Sequence, residues 1–332
     1  MNLATEYLGL KLKNPIMPGA SPLVDDLGVV RQLEDAGAAA IVMHSLFEEQ
    51  IELERAALER DVESHKESFA EALSYLPNED DFDETSDQYL QLIGKIKETV
   101  SVPVIASLNG ITSGGWVGHA KLIEQAGADA LELNYYDLPS DPNKTGAEVE
   151  QRALELVAAI RKDIKIPIAV KLSPFFSSLP NFVNRLIQSG ANGVVLFNRF
   201  YQPDINIEDL DTESVLELST SAELRLRLRW LAVLSAQLDT YYAATGGIHT
   251  AEDVVRAIMA GAHSVQMVSS LLRNGPAQLG TVLAGLTQWL EEHEYESVAQ
   301  MRGTMNLKHC PDATAFERAN YLRILKSWQP SL

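Results

Sequence analysis

The stretch AATGGIHTAEDVVRAIMAGAHSVQMVSSLLRNG, residues 243–275, reads as the end of a short apolar strand, a Gly-Gly turn, an amphipathic helix, a second apolar strand and a Ser-Ser start to another helix. Gly261 stands at the helix C-cap, where a left-handed backbone is needed and glycine adopts it without a steric penalty. The same design recurs in LEDAGAAAIVMHS (33–45), IEQAGADALELNY (123–135) and IQSGANGVVLFN (187–198), with Gly37, Gly127 and Gly190 at the equivalent position. Each glycine leads into an aliphatic run suited to a strand buried on both faces. In IGKIKETVSVPVIASLN (93–109) and VAAIRKDIKIPIAVKLS (157–173), Pro103 or Pro167 stands at the strand entrance instead, where the missing ladder donor costs little.

Eight strands are predicted in this way: Pro15 to Ala20, Ala39 to Ser45, Val102 to Asn109, Ala130 to Tyr136, Pro167 to Ser173, Gly193 to Asn198, Thr240 to Gly246 and Ser264 to Ser269. Buried strands alternating with helix-compatible segments predict an α/β fold, a (β/α)8 TIM barrel. A doubly wound open sheet is the alternative. Polar residues at the C-terminal end of nearly every strand favour the barrel, which builds its site on that rim. The expected organisation is a single domain over residues 1–332, with a strongly acidic insertion from Phe47 to Asp87 after the second strand.

The 332 residues include 46 Asp+Glu against 27 Lys+Arg, a formal net charge of −19, with 46% apolar residues. That mixture is globular, and its excess of carboxylates disfavours nucleic acid and anionic membrane surfaces as partners. The one cysteine, Cys310, permits no internal disulfide and no iron-sulfur cluster of the chain's own. The N-terminal MNLATEYLGLKLKNP has neither a signal-peptide core nor a membrane span, so a cytoplasmic location is expected. No metal site is expected.

Gly246 and Gly247 let the backbone approach an anion, and Ser269 and Ser270 offer hydroxyls at a helix start, which together suit a phosphate. The same residues also suit a tight turn with capping serines. The rim further presents Asn109 in ASLNG, Asn134 in LELNYYD, Lys171 in VKLSP and Asn198 in LFNRF. A lysine at a strand end is commonly a snorkelling surface charge. Lys171, set between PIAV and LSP on a buried strand, points instead to a site role.

Taken in order, NPIMPGAS, MHSL, ELN, VKLSP, FN, TGGI, AGAHSVQMVSS and WLEEHEYESVAQMRG resemble the dihydroorotate dehydrogenase family over almost the whole chain. The resemblance implies flavin mononucleotide (FMN) across the barrel mouth, its phosphate at Gly246, Gly247, Ser269 and Ser270, next to Thr245 of the same TGGI motif. It implies Gly19, Ala20 and Ser45 along the ring system, and Asn109, Asn134 and Asn198 hydrogen-bonding the flavin or, for Asn134 and Asn198, the substrate as well. Lys171 would lie near the flavin N1 and O2 edge, stabilising the negative charge of the reduced ring. A soluble electron acceptor or electron-transfer protein and a homodimer are further family expectations.

The chain departs from the family at the substrate. In ELNYYDLPSDPN, Asp137 stands where the family has its Cys or Ser base, and Pro139 replaces an Asn. Ala72 replaces another Asn, His44 replaces the lysine before Ser45, and Arg199 follows Asn198 where a small hydroxyl residue is usual. Asp137 reads as a general base or as a loop Asp in an Asx-turn. Arg199 reads as a carboxylate-binding group or as an ion pair to the acidic insertion. Tyr135 and Tyr136 read as proton relays or as packing. The expected function is thus oxidation of dihydroorotate, a step of pyrimidine synthesis, or of a related small anionic substrate. The alternatives are a flavin- or phosphate-binding barrel that has lost the base, and an isomerase or aldolase barrel with Lys171 forming a Schiff base.

Overall fold

Each of the eight apolar runs becomes a strand in the computed structural model, which describes residues 1–48, 84–109, 113–199, 202–213, 215–317 and 320–327. The strands are β1 Ile16–Pro18, β2 Ile41–Phe47, β3 Val104–Asn109, β4 Ala130–Asn134, β5 Ile168–Leu172, β6 Gly193–Leu196, β7 Tyr241–Thr245 and β8 Ser264–Met267. They form one parallel sheet in which β8 pairs with β1 and β2 to β8 follow in chain order. The Ala39 N–H donates to the Ile16 carbonyl at 2.9 Å, linking the entrance of β2 to β1 across the closing seam. The result is the (β/α)8 barrel, not the open sheet.

Helices α1 Leu27–Asp35, α2 Glu84–Thr99, α3 Ser113–Gln125, α4 Gly146–Asp163, α5 Leu179–Gln188, α6 Leu224–Ser235 and α7 Ala251–Ala260 connect successive strands, and α8 Ser269–Asn274 and α9 Ala277–Glu292 follow β8. Their ends follow local chemistry. Thr250 and Asp253 form a capping box on α7, and Thr145 and Glu148 one on α4, each satisfying two otherwise orphaned backbone donors. At the other end of α7, Gly261 takes φ 118°, as its place in the repeat requires. The expected insertion after β2 falls mostly outside the described residues, as does Ala72; its last residues, Glu84 to Asp87, open α2.

Successive strand residues point to opposite faces. One set, including Leu131, Leu133, Val170, Leu172 and Val265, packs against the helices. The other points inward, and its lower layer is small: Ala130, Ala169 and Ala243. Those alanines leave room for a feature the repeat did not announce. Thr5–Tyr7 and Leu10–Leu12 form an antiparallel hairpin whose turn residues, Leu8 and Gly9, take φ 55° and 78°. Tyr7, Leu8 and Leu12 pack beneath the alanines and close the N-terminal end of the barrel. A second hairpin, Asp204–Asn206 with Asp211–Glu213, lies in the connection after β6.

Strand β2 carries an irregularity between Val42 and Ser45. The Tyr89 hydroxyl of α2 fills it, 3.0 Å from the His44 carbonyl and 2.9 Å from that of Ser107, while accepting the Ser107 N–H. This brings Ser45 into register with Ser107 on the inner face, their hydroxyls 2.8 Å apart. Among the described residues no helix is long and apolar enough to cross a membrane.

Candidate active site in the barrel mouth

The inner face turns polar one step above the alanine layer. On β4, Ala130 is followed at the same face by Glu132 and Asn134; on β5, Ala169 by Lys171 and Ser173; on β7, Ala243 by Thr245. Two-residue periodicity in a closed barrel therefore converts short apolar strands into a ring of polar groups at the mouth.

At its centre Lys171 Nζ lies 3.2 Å from Glu132 Oε1, and Gln266 Nε2 of β8 donates to Glu132 Oε2 at 2.6 Å. The carboxylate is 1% exposed, so it needs both partners to offset its desolvation. Its charge reaches beyond them: burial, and behind it the field of Glu132, pushes the phenols of Tyr7 and Tyr89 up. Gln266 Oε1 has no hydrogen-bond partner. Gly19 sits above Gln266, and a Cβ there would lie 2.8 Å from Val268 Cγ2 and 3.0 Å from Gln266 Cβ.

Asn134 donates through Nδ2 to Ser45 Oγ at 3.2 Å, while its Oδ1 is buried without a partner. Asn198 is buried, with Nδ2 3.3 Å from both the Tyr135 and Lys171 carbonyls. Asn109 ends β3 and is likewise buried. Ala20 follows Gly19 at the end of β1 and is partly exposed.

The proposed anion cup lies at the other side of the rim. Gly246 and Gly247 take φ 85° and 84°. A Cβ on Gly247 would meet the Leu224 backbone N at 2.6 Å, and one on Gly246 would meet Arg227 Nη2 at 2.7 Å. Ser270 is fully buried and donates to the Ile248 carbonyl at 3.0 Å, while Ser269 Oγ accepts from the Ser219 N–H at 3.0 Å and the Ser219 hydroxyl at 2.9 Å. The Gly247 N–H in turn donates to Ser219 Oγ at 3.3 Å. An oxygen thus already occupies a point bracketed by a glycine N–H and a serine hydroxyl. Arg227 backs this region, its Nε donating to the Thr245 carbonyl at 3.0 Å and its Nη1 to that of Glu223 at 2.8 Å. Burial pulls the Arg227 guanidinium down from its usual range.

Asp137 belongs to a different group. Its carboxylate pairs with the Arg152 guanidinium of α4 and accepts the Tyr135 hydroxyl at 3.2 Å. Burial, followed by the charge of Asp137, pushes the Tyr135 phenol up to about 12. Arg199 faces Glu223 at 3.7 Å across the start of α6. His44 Nδ1 lies 2.6 Å from Asp25 Oδ1, and its ring meets Tyr89 edge-on.

Glu132, Gln266, Ser219 and Arg227 were not singled out from the sequence. Glu132 had a signal, since it shares its inward face with Asn134 two residues on. Ser219 had none, because it comes from a loop and reaches Ser269 only through the fold.

The donor set fits a flavin mononucleotide. Unpartnered carboxamide oxygens at Asn134 and Gln266 suit the N–H and polar edges of a flavin ring. A buried ammonium suits a ring that gains negative charge, and a glycine turn without room for a Cβ suits a closely approached phosphate.

A closed parallel barrel with its buried charges gathered at the C-terminal rim has the construction of a TIM-barrel enzyme. The family model described as "Dihydroorotate dehydrogenase" matches residues 78–290, and the chain belongs to that family, whose members are flavin-dependent oxidoreductases acting on a CH–CH bond. Relatives named dihydroorotate dehydrogenase B (NAD(+)), catalytic subunit, share its length. The protein of Shouchella clausii is 26% identical over 325 residues, 89% of this chain and 95% of its own. That of Thermoplasma acidophilum is 25% identical over 312 residues, 91% and 98% of the two chains.

Proposed function

We propose that this protein binds FMN in the barrel mouth and oxidises a carbon–carbon single bond of a small anionic substrate, with dihydroorotate the first candidate. The observation that carries the reading is the buried Lys171 ammonium set beside the unpartnered carboxamide oxygens of Asn134 and Gln266. FMN, when bound, supplies the two-electron redox chemistry.

The chain's own residues hold and orient. Asn109, Asn134 and Asn198 offer carboxamides to the ring and, for the last two, to the substrate; Gly19, Ala20 and Ser45 line the ring. Thr245, Gly246, Gly247, Ser269 and Ser270 take the phosphate side, with Ser219 and Arg227 supporting them. Lys171 places positive charge against the ring. Asp137 is the proposed base, and to reach the substrate it must give up its Arg152 contact. Arg199, held only at 3.7 Å by Glu223, is the proposed contact for a substrate carboxylate. The relatives' names support an electron-transfer partner or a soluble acceptor. A cytoplasmic location and a homodimer belong to the same reading, as does a single domain over residues 1–332.

The test is the visible spectrum of the purified protein, loaded with FMN where needed, during anaerobic addition of dihydroorotate. Bleaching of the flavin bands supports the proposal. A flavin that stays oxidised with every substrate offered favours the second reading, a cofactor-binding barrel without a working base, which the Asp137–Arg152 ion pair supports. Absence of any flavin band after FMN is supplied refutes the cofactor assignment.

A further inference from the structure

Lys171 is one of three inward-facing side chains joined in the lower mouth, and one of the other two, Glu132, has no role in the reading above. Glu132 stands two residues before Asn134 on β4, Lys171 on β5 is the register partner of Asn134 and reaches back to the Glu132 carboxylate, and Gln266 reaches over from β8. The carboxylate uses one oxygen for the ammonium and the other for the Gln266 amide, so its orientation is determined from two sides. The Glu132 side chain is 1% exposed, so both contacts lie in a poorly screened interior.

We infer that Glu132 is a positioning residue that holds the Lys171 ammonium in the barrel mouth and, by partly cancelling its charge, sets the reduction potential of the bound cofactor. The inference rests on the FMN reading. A lone buried ammonium would favour the negative charge that the ring gains on two-electron reduction. An ammonium paired at 3.2 Å presents the ring with much less net charge. Gln266 completes the device: with Glu132 Oε2 engaged at 2.6 Å, the carboxylate cannot swing both oxygens onto the lysine.

The experiment is the two-electron midpoint potential of the FMN-loaded protein, measured by equilibration with reference dyes. Glu132→Gln keeps the shape and removes the charge, and is expected to raise the potential by at least about 30 mV, the equivalent of about tenfold in the reduction equilibrium. Glu132→Asp keeps the charge and is expected to stay nearer the wild-type value. Because Glu132→Gln leaves Lys171 without its partner, a second comparison guards against misfolding. Adding Glu132→Gln to Lys171→Gln gives a neutral pair, and the double variant is expected to lie above Lys171→Gln alone by a similar step. A potential that does not move, or moves down, in either comparison overturns the inference while leaving FMN binding intact. Failure of both charge-removed variants to fold would assign Glu132 to the fold alone and also overturn it. A wild-type protein that binds no FMN fails the earlier reading instead, and the two failures are distinguished by the flavin absorbance of the starting protein.

Discussion

His263 offers a perturbation whose sign and size follow from its surroundings. It precedes β8 at the closed end of the barrel, its ring edge-on to Tyr241 at 5.1 Å and stacked toward Tyr242 at 6.2 Å. Its Nδ1 accepts the Tyr242 N–H at 3.2 Å, a bond that requires a neutral imidazole nitrogen. Burial, helped by the charge of Arg302, lowers its pKa from 6.5 to about 3. As pH falls through 6.5 the unfolded chain takes up a proton that the folded protein refuses until about 3, so stability is intact above that window and declines within it. The slope approaches about 1.4 kcal/mol per pH unit, which accumulates to about 2 kcal/mol between pH values of about 7.5 and 5. His263→Gln removes the titration and keeps an acceptor. Urea titrations of both proteins at the two pH values should show the wild type losing about 2 kcal/mol more than the variant on acidification. Parallel losses in the two proteins would refute a neutral, desolvated imidazole at this position.

Other perturbations test the mouth and the plug. Gly247→Ala places a methyl 2.6 Å from the Leu224 backbone N at φ 84°, and should abolish FMN retention on a desalting column while the far-ultraviolet circular dichroism keeps its shape. Asp137→Asn should slow flavin reduction by the true substrate by roughly 10² or more, as stopped-flow absorbance would record. An unchanged rate would remove Asp137 from the chemistry and strengthen the second reading. Leu12→Ala, beneath the alanine layer, should cost roughly 2 to 5 kcal/mol by chemical unfolding, because the plug leaves a cavity that the small inner residues cannot fill.

The strand repeat was legible because its signals are local. A glycine C-cap, an aliphatic run and a polar strand end each lie within a few residues of one another, and all eight strands formed at or within two residues or so of where those signals place them. The differences have causes: β2 runs on to Phe47 because Tyr89 repairs its irregular pairing, and β8 stops at Met267 because Val268 already caps α8. Lys171 stood out in the sequence for the same reason, a charge in an apolar strand, and the structure buries it against Glu132. Its partners were less so. Asp137 and Arg199 could be located in the chain, while their engagement with Arg152 and Glu223 depended on helices whose approach no local pattern reports.

By itself, then, the amino-acid sequence determined the alternation of strand and helix, the polar residues at the C-terminal ends of nearly all the strands, and the glycine turn between β7 and α7. These follow from backbone sterics and two-residue periodicity, which act between neighbours. Ring closure decided the rest. It brought Glu132 to Lys171 across 39 residues and to Gln266 across 134, and set Ser219 against Ser269 across 50. It also made an end that the hairpin of Tyr7, Leu8 and Leu12 could plug. A buried carboxylate is stable only where an ammonium and an amide meet it, and that meeting exists only once the barrel has closed.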